Sequence, residues 1–220
     1  MTNLWTNTTA AEATQGKAQG TWQAQRLSID SRAVMPGDLF LAFKGEKFDG
    51  HDYVAEALAK GAVAAVVSRD VPGADAAKLL RVGDTSAALD ALGRYGRARS
   101  KAKIVGVTGS VGKTSAKEML RLALSAHGKT YATAGNLNNH IGTPLNLANL
   151  PPDTPFAVFE MGMNHAGEIA HLTKLVRPHV AAITNVEAVH AEFFASLEDF
   201  ARAKAEIVEG MEKDSIAVLN

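Results

Sequence analysis

The sequence predicts an α/β protein: a small N-terminal α/β domain followed by a doubly wound, mostly parallel sheet of the phosphate-loop type, incomplete at the C-terminus. Three observations predict it. Short β-branched runs alternate with segments of helical period. A Gly-rich run, Thr108 to Ser115, stands between a strand pattern and a helix pattern. The 220 residues are 46% hydrophobic and 21% charged, which is globular composition and excludes a disordered chain.

Taken in order, Leu27–Asp30 and Asp38–Phe43 read as strands joined through the Pro36-Gly37 turn. Asp52–Lys60 reads as a helix stopped by Gly61. Val63–Ser68 and Leu79–Val82 read as strands, and Thr85–Arg99 as a helix rich in Ala, Leu and Arg. Then Ile104–Val107 is a buried strand, and Lys113–Ala126 a helix with Leu120, Ala123 and Leu124 on one side. Phe156–Glu160 is a strand, Ala166–Val176 a helix stopped before Pro178, and Val180–Asn185 a strand. Ser196 with Asp199 opens a helix over 197–211, and Ile216–Leu219 begins one more strand. The domains expected are 1–84, a connecting helix over 85–102, and 103–220.

Charge narrows the function. Twenty-three basic residues balance twenty-three acidic ones, so no broad nucleic-acid-binding face is expected. Cysteine is absent, which excludes disulfides, thiolate metal sites and a cysteine nucleophile. The first 25 residues lack the basic start and apolar core of a secretory signal, and the longest aliphatic run, Ala62 to Val67, is too short to span a membrane. A soluble, cytoplasmic protein is expected.

Thr108-Gly109-Ser110-Val111-Gly112-Lys113-Thr114-Ser115 carries the strongest chemistry. Glycines let backbone N–H groups approach phosphate oxygens, and the following helix presents its free N–H groups and positive dipole end. Lys113 can reach the outer phosphates, and the Thr114 hydroxyl can bind magnesium. Only two residues separate Gly109 from Gly112-Lys113, where the general phosphate-loop pattern has four. No Asn-Lys-x-Asp guanine-reading run occurs, and the strand that would end in a magnesium-binding Asp ends in Glu160. Glu160, at the carboxyl end of a neighbouring strand, could hold magnesium directly or through water, or be a solvated strand-end acid.

The 135–144 segment, which includes Asn138, Asn139, His140 and Thr143, is dense in amides and hydroxyls and suits either a polar ligand or a capped turn. His190 follows the Val180–Asn185 strand, a weak signal for a metal ligand. On the 197–211 helix, Phe200, Ala203, Ile207, Val208 and Met211 share one face, with Lys204 in its middle. A buried ammonium is costly, so Lys204 either snorkels or works.

Together these segments resemble the Mur ligases. The resemblance is carried by Thr108–Ser115, the Asn136–Pro144 segment, Glu160-Met161-Gly162-Met163-Asn164, Asn185 with His190, and Ala203-Lys204-x-Glu206-Ile207. Ser28-Ile29-Asp30-Ser31-Arg32, Pro36-Gly37-Asp38-Leu39-Phe40 and Lys44-Gly45 through Phe48-Asp49-Gly50-His51 resemble that family's N-terminal UDP-substrate domain. Within the family the amide segment is similar to that of the members that add D-Ala-D-Ala, rather than the third-residue ligases.

The resemblance implies an ATP-dependent carbon–nitrogen ligase of peptidoglycan precursor synthesis. ATP phosphorylates the terminal carboxylate of UDP-MurNAc-tripeptide, and the D-Ala-D-Ala amine attacks the acyl phosphate. By the same resemblance Thr108, Gly109, Ser110, Val111, Gly112, Lys113, Thr114, Ser115 and Asn139 bind the nucleotide. Thr114, Glu160, His190 and Lys204, the last as a carbamate, hold magnesium. Lys113, Glu160, His190 and Lys204 form the catalytic set. Ser31, Arg32, Lys44, Gly45, Asp49, His51, Asn138 and Thr143 meet the substrate. Family members are longer, so no catalysis is expected from these residues alone; a monomer is expected. The alternatives are another ligase of the family, folylpolyglutamate synthase, or a non-catalytic nucleotide-binding module. The N-terminal elements argue against the folate enzyme, which is similar only in the central domain.

Overall fold

A computed structural model describes residues 3–45, 47–135, 137–187 and 194–220. The chain divides into two compact units, Met1–Gly96 and Arg97–Asn220.

In the first unit, β1 (Trp5–Thr6) and β3 (Gln23–Ala24) pair antiparallel around α1 (Asn7–Thr14), which Thr6 caps. These elements, with β2 (Lys17–Ala18), escape the sequence pattern because strands of two residues carry no period. The main sheet runs β2-β7-β6-β5-β4. In it β4 (Arg26–Ser28), β5 (Asp38–Leu41), β6 (Ala64–Val67) and β7 (Leu79–Arg81) are mutually parallel, and β2 is antiparallel at the edge. All four residues of β5 and of β6 are buried, as expected of strands covered on both faces. Helix α2 (Val54–Ala59) buries Val54 and Ala57 against Phe40, Ala65 and Val67. Helix α3 (Thr85–Arg99) carries the division between the units.

The second unit is a five-stranded sheet in the order β12-β11-β8-β10-β9, with every pairing parallel. The strands are β8 (Lys103–Thr108), β9 (Thr130–Ala132), β10 (Phe156–Glu160), β11 (Val180–Ile183) and β12 (Ile216–Leu219). Ile104, Ala157, Phe159 and Ala181 of the sheet pack with Leu172, Leu175 and Val176 of α6 (Glu168–Val176). Because β10 and β11 flank β8, the chain reverses its direction of winding at β8, and the carboxyl ends there form the crevice where such sheets take ligands.

Three expectations are corrected. Helix α4 (Lys113–Ser125) buries only Lys117 fully; Leu120 and Leu124 are half-buried and Ala123 is exposed. Lys117 takes the inward position because its amine donates to Thr133 O at 2.8 Å. The 197–211 helix is α-helical only as α7 (Leu197–Ala205) and tightens to a 3-10 turn over Glu206–Gly210. That turn has about three residues per turn, which rotates Val208 off the apolar face into solvent while Ile207 stays buried. The amide-rich segment also contains a helix, α5 (Gly142–Ala148), whose seven residues are all buried. Pro144 is tolerated in its first turn, and the Asn146 amide donates to Leu137 O and Gly142 O.

Candidate active site

The phosphate loop leaves the central strand β8 and enters α4. It turns on Gly109 (φ 145°) and Gly112 (φ 84°), conformations that an L side chain resists. A Cβ at Gly109 would also collide with the Thr184 hydroxyl. The loop tip is braced by the segment after β11. Ser110 N–H donates to Asn185 O (3.1 Å), Val111 N–H to Asn185 Oδ1 (2.9 Å), and Thr184 Oγ1 to Val111 O (2.6 Å). Those bonds draw Thr184 and Asn185 toward the loop, and β11 ends at Ile183. Lys113 curls back so that its amine donates to Gly109 O (2.8 Å) and Ser110 O (3.0 Å). Burial pushes the Lys113 amine below its ordinary pKa, against the pull of Glu160. Thr108 is fully buried, with no hydrogen-bond partner for its hydroxyl among the described residues. Ser115 is exposed in the first turn of α4.

Glu160 is the hub. It is 3% exposed at the end of β10, so it is not a solvated acid. Its Oε2 accepts from Thr114 Oγ1 (3.0 Å), and its Oε1 from Asn138 Nδ2 (2.9 Å). Its backbone N–H donates to Thr133 Oγ1 at 3.2 Å, and the Thr133 carbonyl is what Lys117 holds. Sequence reasoning passed over Thr133 and Lys117. The signal for Lys117 was present, since it shares a helical face with Leu120 and Leu124.

Lys204 is 3% exposed near the end of α7, so the snorkelling alternative fails. Its amine lies 4.8 Å from the centre of the Phe200 ring. Burial, aided by repulsion from Lys113, pushes that amine down to about 8. Lys113, Asn138, Asn139, Gly162, His171 and Lys204 are among the residues that line one cavity of about 620 Å³. Asn139 lines it while its Oδ1 accepts the N–H groups of Ile141 and Gly142 at the start of α5. Thr143 is not among the lining residues. It is fully buried inside α5, where helix packing covers its hydroxyl.

The expected substrate residues of the first unit are tied into local pairs. Asp30 caps the 3-10 turn Ser31–Ala33 and pairs with Arg32 (2.8 Å), whose guanidinium holds the Asp30 carboxyl down to about 2. Ser31 is buried, and its carbonyl accepts from Lys60 Nζ. Lys44 and Asp49 form an isolated bridge, and Gly45 N–H donates to Phe48 O within that turn. His51 is buried; Ser68 N–H donates to its Nε2 (2.9 Å), which leaves Nδ1–H for Asp49 Oδ1. Asp49, His51 and Ser68 thus stand in series, with the Ser68 hydroxyl also 3.3 Å from Nε2. Against the cost of burial, the His51 amide and ring together with Arg69 hold Asp49 down to about 2.

His190 lies outside the described residues. Among the described residues no group of three or more His, Asp or Glu side chains could hold a metal. The Thr114 hydroxyl and Glu160 carboxylate nonetheless form a hard-oxygen pair. Glu160 is buried with no ion-pair partner among the described residues, and this donor set fits magnesium.

A short phosphate loop off the central strand of a parallel sheet, a buried carboxylate beside it and a buried lysine across one cavity define a phosphate-loop α/β protein. Residues 107–220 match the Mur ligase middle domain, and residues 23–96 match the Mur ligase family, catalytic domain. The chain belongs to the Mur ligase family. It is 41% identical over 217 residues to the UDP-N-acetylmuramoyl-tripeptide–D-alanyl-D-alanine ligase of Rickettsia prowazekii, covering 99% of this chain and 48% of that protein. A crystal structure of MurF from Acinetobacter baumannii is 40% identical with a TM-score of 0.88, covering 98% of this chain and 48% of that one. MurF ligase from Thermotoga maritima, in complex with ADP, is 36% identical with a TM-score of 0.75, covering 89% and 45%. The chain therefore spans about half the length of the curated relatives it matches. Among the described residues no helix is long and apolar enough to cross a membrane.

Proposed function

We propose that these residues form the UDP-substrate and nucleotide-binding half of a cytoplasmic, ATP-dependent ligase that joins D-Ala-D-Ala to UDP-MurNAc-tripeptide. One observation carries the reading: Lys113, the Thr114–Glu160 pair and the buried Lys204 converge at the carboxyl edge of one parallel sheet. The printed names of the relatives, and the ADP held by the Thermotoga protein, support it.

In this reading the loop and the first turn of α4 hold the ATP phosphates. Lys113 exchanges the carbonyls of Gly109 and Ser110 for phosphate oxygens, and its placed charge stabilises the transferring phosphoryl group. The tripeptide carboxylate takes that group; the dipeptide amine then attacks the acyl carbon, loses a proton and releases phosphate. Thr114 and Glu160, with His190, would hold magnesium, which supplies positive charge against the phosphate oxygens.

Lys204 would carry a carbamate, formed when its neutral amine adds to carbon dioxide and sheds a proton. An amine lowered to about 8 is partly neutral at physiological pH, and a carbamate presents oxygens where an ammonium would repel a cation. Asn138 and Asn139 line the cavity for polar ligands. Ser31, Arg32, Lys44, Gly45, Asp49 and His51 would form or support the UDP end in the first unit.

The test is phosphate release by the parent-length protein given ATP, UDP-MurNAc-tripeptide and D-Ala-D-Ala. Release that requires all three supports the reading. Release with a folate and glutamate instead favours the folate enzyme, and no release at all favours a binding module. Lys204→Glu should retain more turnover than Lys204→Arg, because only glutamate keeps an oxygen anion there.

A further inference from the structure

Glu206, two residues after Lys204, belongs to the Ala203–Ile207 motif, yet nothing in the proposed chemistry uses it. Its carboxylate reaches across to another element. Oε1 accepts Gly167 N–H at 2.7 Å, and Oε2 accepts Ala170 N–H at 3.1 Å. Both amides belong to the start of α6, where the N-cap is Gly167 and no side chain caps the helix locally. The first amides of a helix have no partner inside it, and a Ser or Asp at the N-cap normally supplies one. Here glycine cannot, and the acceptor comes from a residue 36 positions past Ala170. A carboxylate is well suited, since charge-assisted bonds are stronger and its charge opposes the positive end of the helix dipole.

The same 3-10 turn is held to α6 along its length. Thr173 Oγ1 donates to Ile207 O at 2.7 Å, and the Gly210 backbone lies so close to Thr173 O that a Cβ there would collide with it. α7 feeds directly into this turn, and Lys204 lines the same cavity as Gly167, the N-cap of α6, and His171 and Leu172 within it. The turn thus connects the helix that carries Lys204 to the helix that shares its cavity.

The geometry points to Glu206 as a positioning residue: by capping α6 from the 3-10 turn that follows α7, it sets where Lys204 enters the cavity. This rests on the reading of Lys204 as a working group. The test below reads placement alone, so failure of the ligase reading would appear in turnover and not here.

Trace acylation of the whole chain with acetic anhydride at one pH, in buffer free of carbon dioxide so that no carbamate forms, is followed by peptide mass spectrometry. Lys204 is read beside two α4 lysines, the cavity-lining Lys113 and the buried Lys117. In Glu206→Ala, Lys204 labelling is expected to rise by about tenfold or more, with Lys113 and Lys117 within about twofold of the parent, the pattern of a local opening. Glu206→Gln keeps one acceptor and should give an intermediate rise at Lys204. Glu209→Ala, which removes only the surface pair with Lys174, should leave Lys204 protected. Unchanged Lys204 in Glu206→Ala, a joint rise of Lys204 and Lys117, or equal release by Glu209→Ala would each overturn the assignment. Should Glu206→Ala fail to fold, Glu206→Gln carries the same comparison with the same references.

Discussion

The two units share a plan of parallel strands under helices and differ in what they do with charge. In the first, the carboxylates of the expected substrate segments are matched. Asp38 takes Arg26 and the Met35 amide, Asp30 takes Arg32, and Asp49 takes His51 and Arg69. In the second, Glu160 and Lys204 are each 3% exposed, and neither has an ion-pair partner among the described residues. Matched charges hold loops in shape. A buried, unmatched charge costs stability and is tolerated where a ligand, an ion or a modification supplies the counterpart. The contrast is between carboxylates matched by neighbouring groups and two buried groups, Glu160 and Lys204, that have no ion-pair partner among the described residues.

The most direct way to break that contrast is Lys113→Ala. It should weaken binding of ATP to the chain by about a hundredfold, equivalent to about 2.8 kcal/mol, while circular dichroism remains that of the parent. Calorimetric titration measures it, and unchanged affinity would remove Lys113 from the phosphate site. Glu160→Gln preserves shape and removes the charge. It should cost about tenfold in magnesium-dependent nucleotide affinity and leave magnesium-free binding nearly intact. Equal losses with and without magnesium would return Glu160 to a purely structural role.

Lys204→Met sharpens the comparison from the stability side. An amine lowered to about 8 from an ordinary 10.5 means that the folded state resists a proton the unfolded chain accepts. The penalty grows as pH falls from 10.5 to 8 and is constant below that. Methionine should therefore stabilise the chain at pH 7 by about 1–3 kcal/mol, a gain that fades above pH 8 and is gone near 10.5. Urea unfolding at pH 7 and pH 10 measures this, and a gain independent of pH would contradict the sign. The smallest effect is expected at Arg32, exposed and already paired with Asp30. Arg32→Ala should weaken uridine-nucleotide binding by a few-fold at most, leaving ATP binding and stability unchanged. A loss of ATP affinity of the same size would mean that the two ligands do not have separate sites.

Much of this was legible in the residues because it is local. A strand, a short glycine turn and a helix with Gly112-Lys113-Thr114 specify a phosphate loop through backbone geometry over a dozen residues, and β10, α3 and β12 fall within the expected bounds. Lys204 stood out because helical period alone places it on an apolar face. Tertiary structure decided the rest. Whether Glu160 was buried depended on Thr114, Asn138 and Thr133, which come from three separate segments. The amide-rich segment suited a ligand or a turn, but the Asn146 amide is satisfied by the backbone at Leu137 and Gly142, and Thr143 is buried inside α5 with no partner for its hydroxyl among the described residues. Just past the end of α7, Glu206 and Gly210 meet the Gly167–Thr173 segment, contacts between residues more than thirty positions apart. Sequence period fixes which face a residue occupies. Which partner meets that face is decided only when distant segments close, because hydrogen bonds and burial act through space and not along the chain.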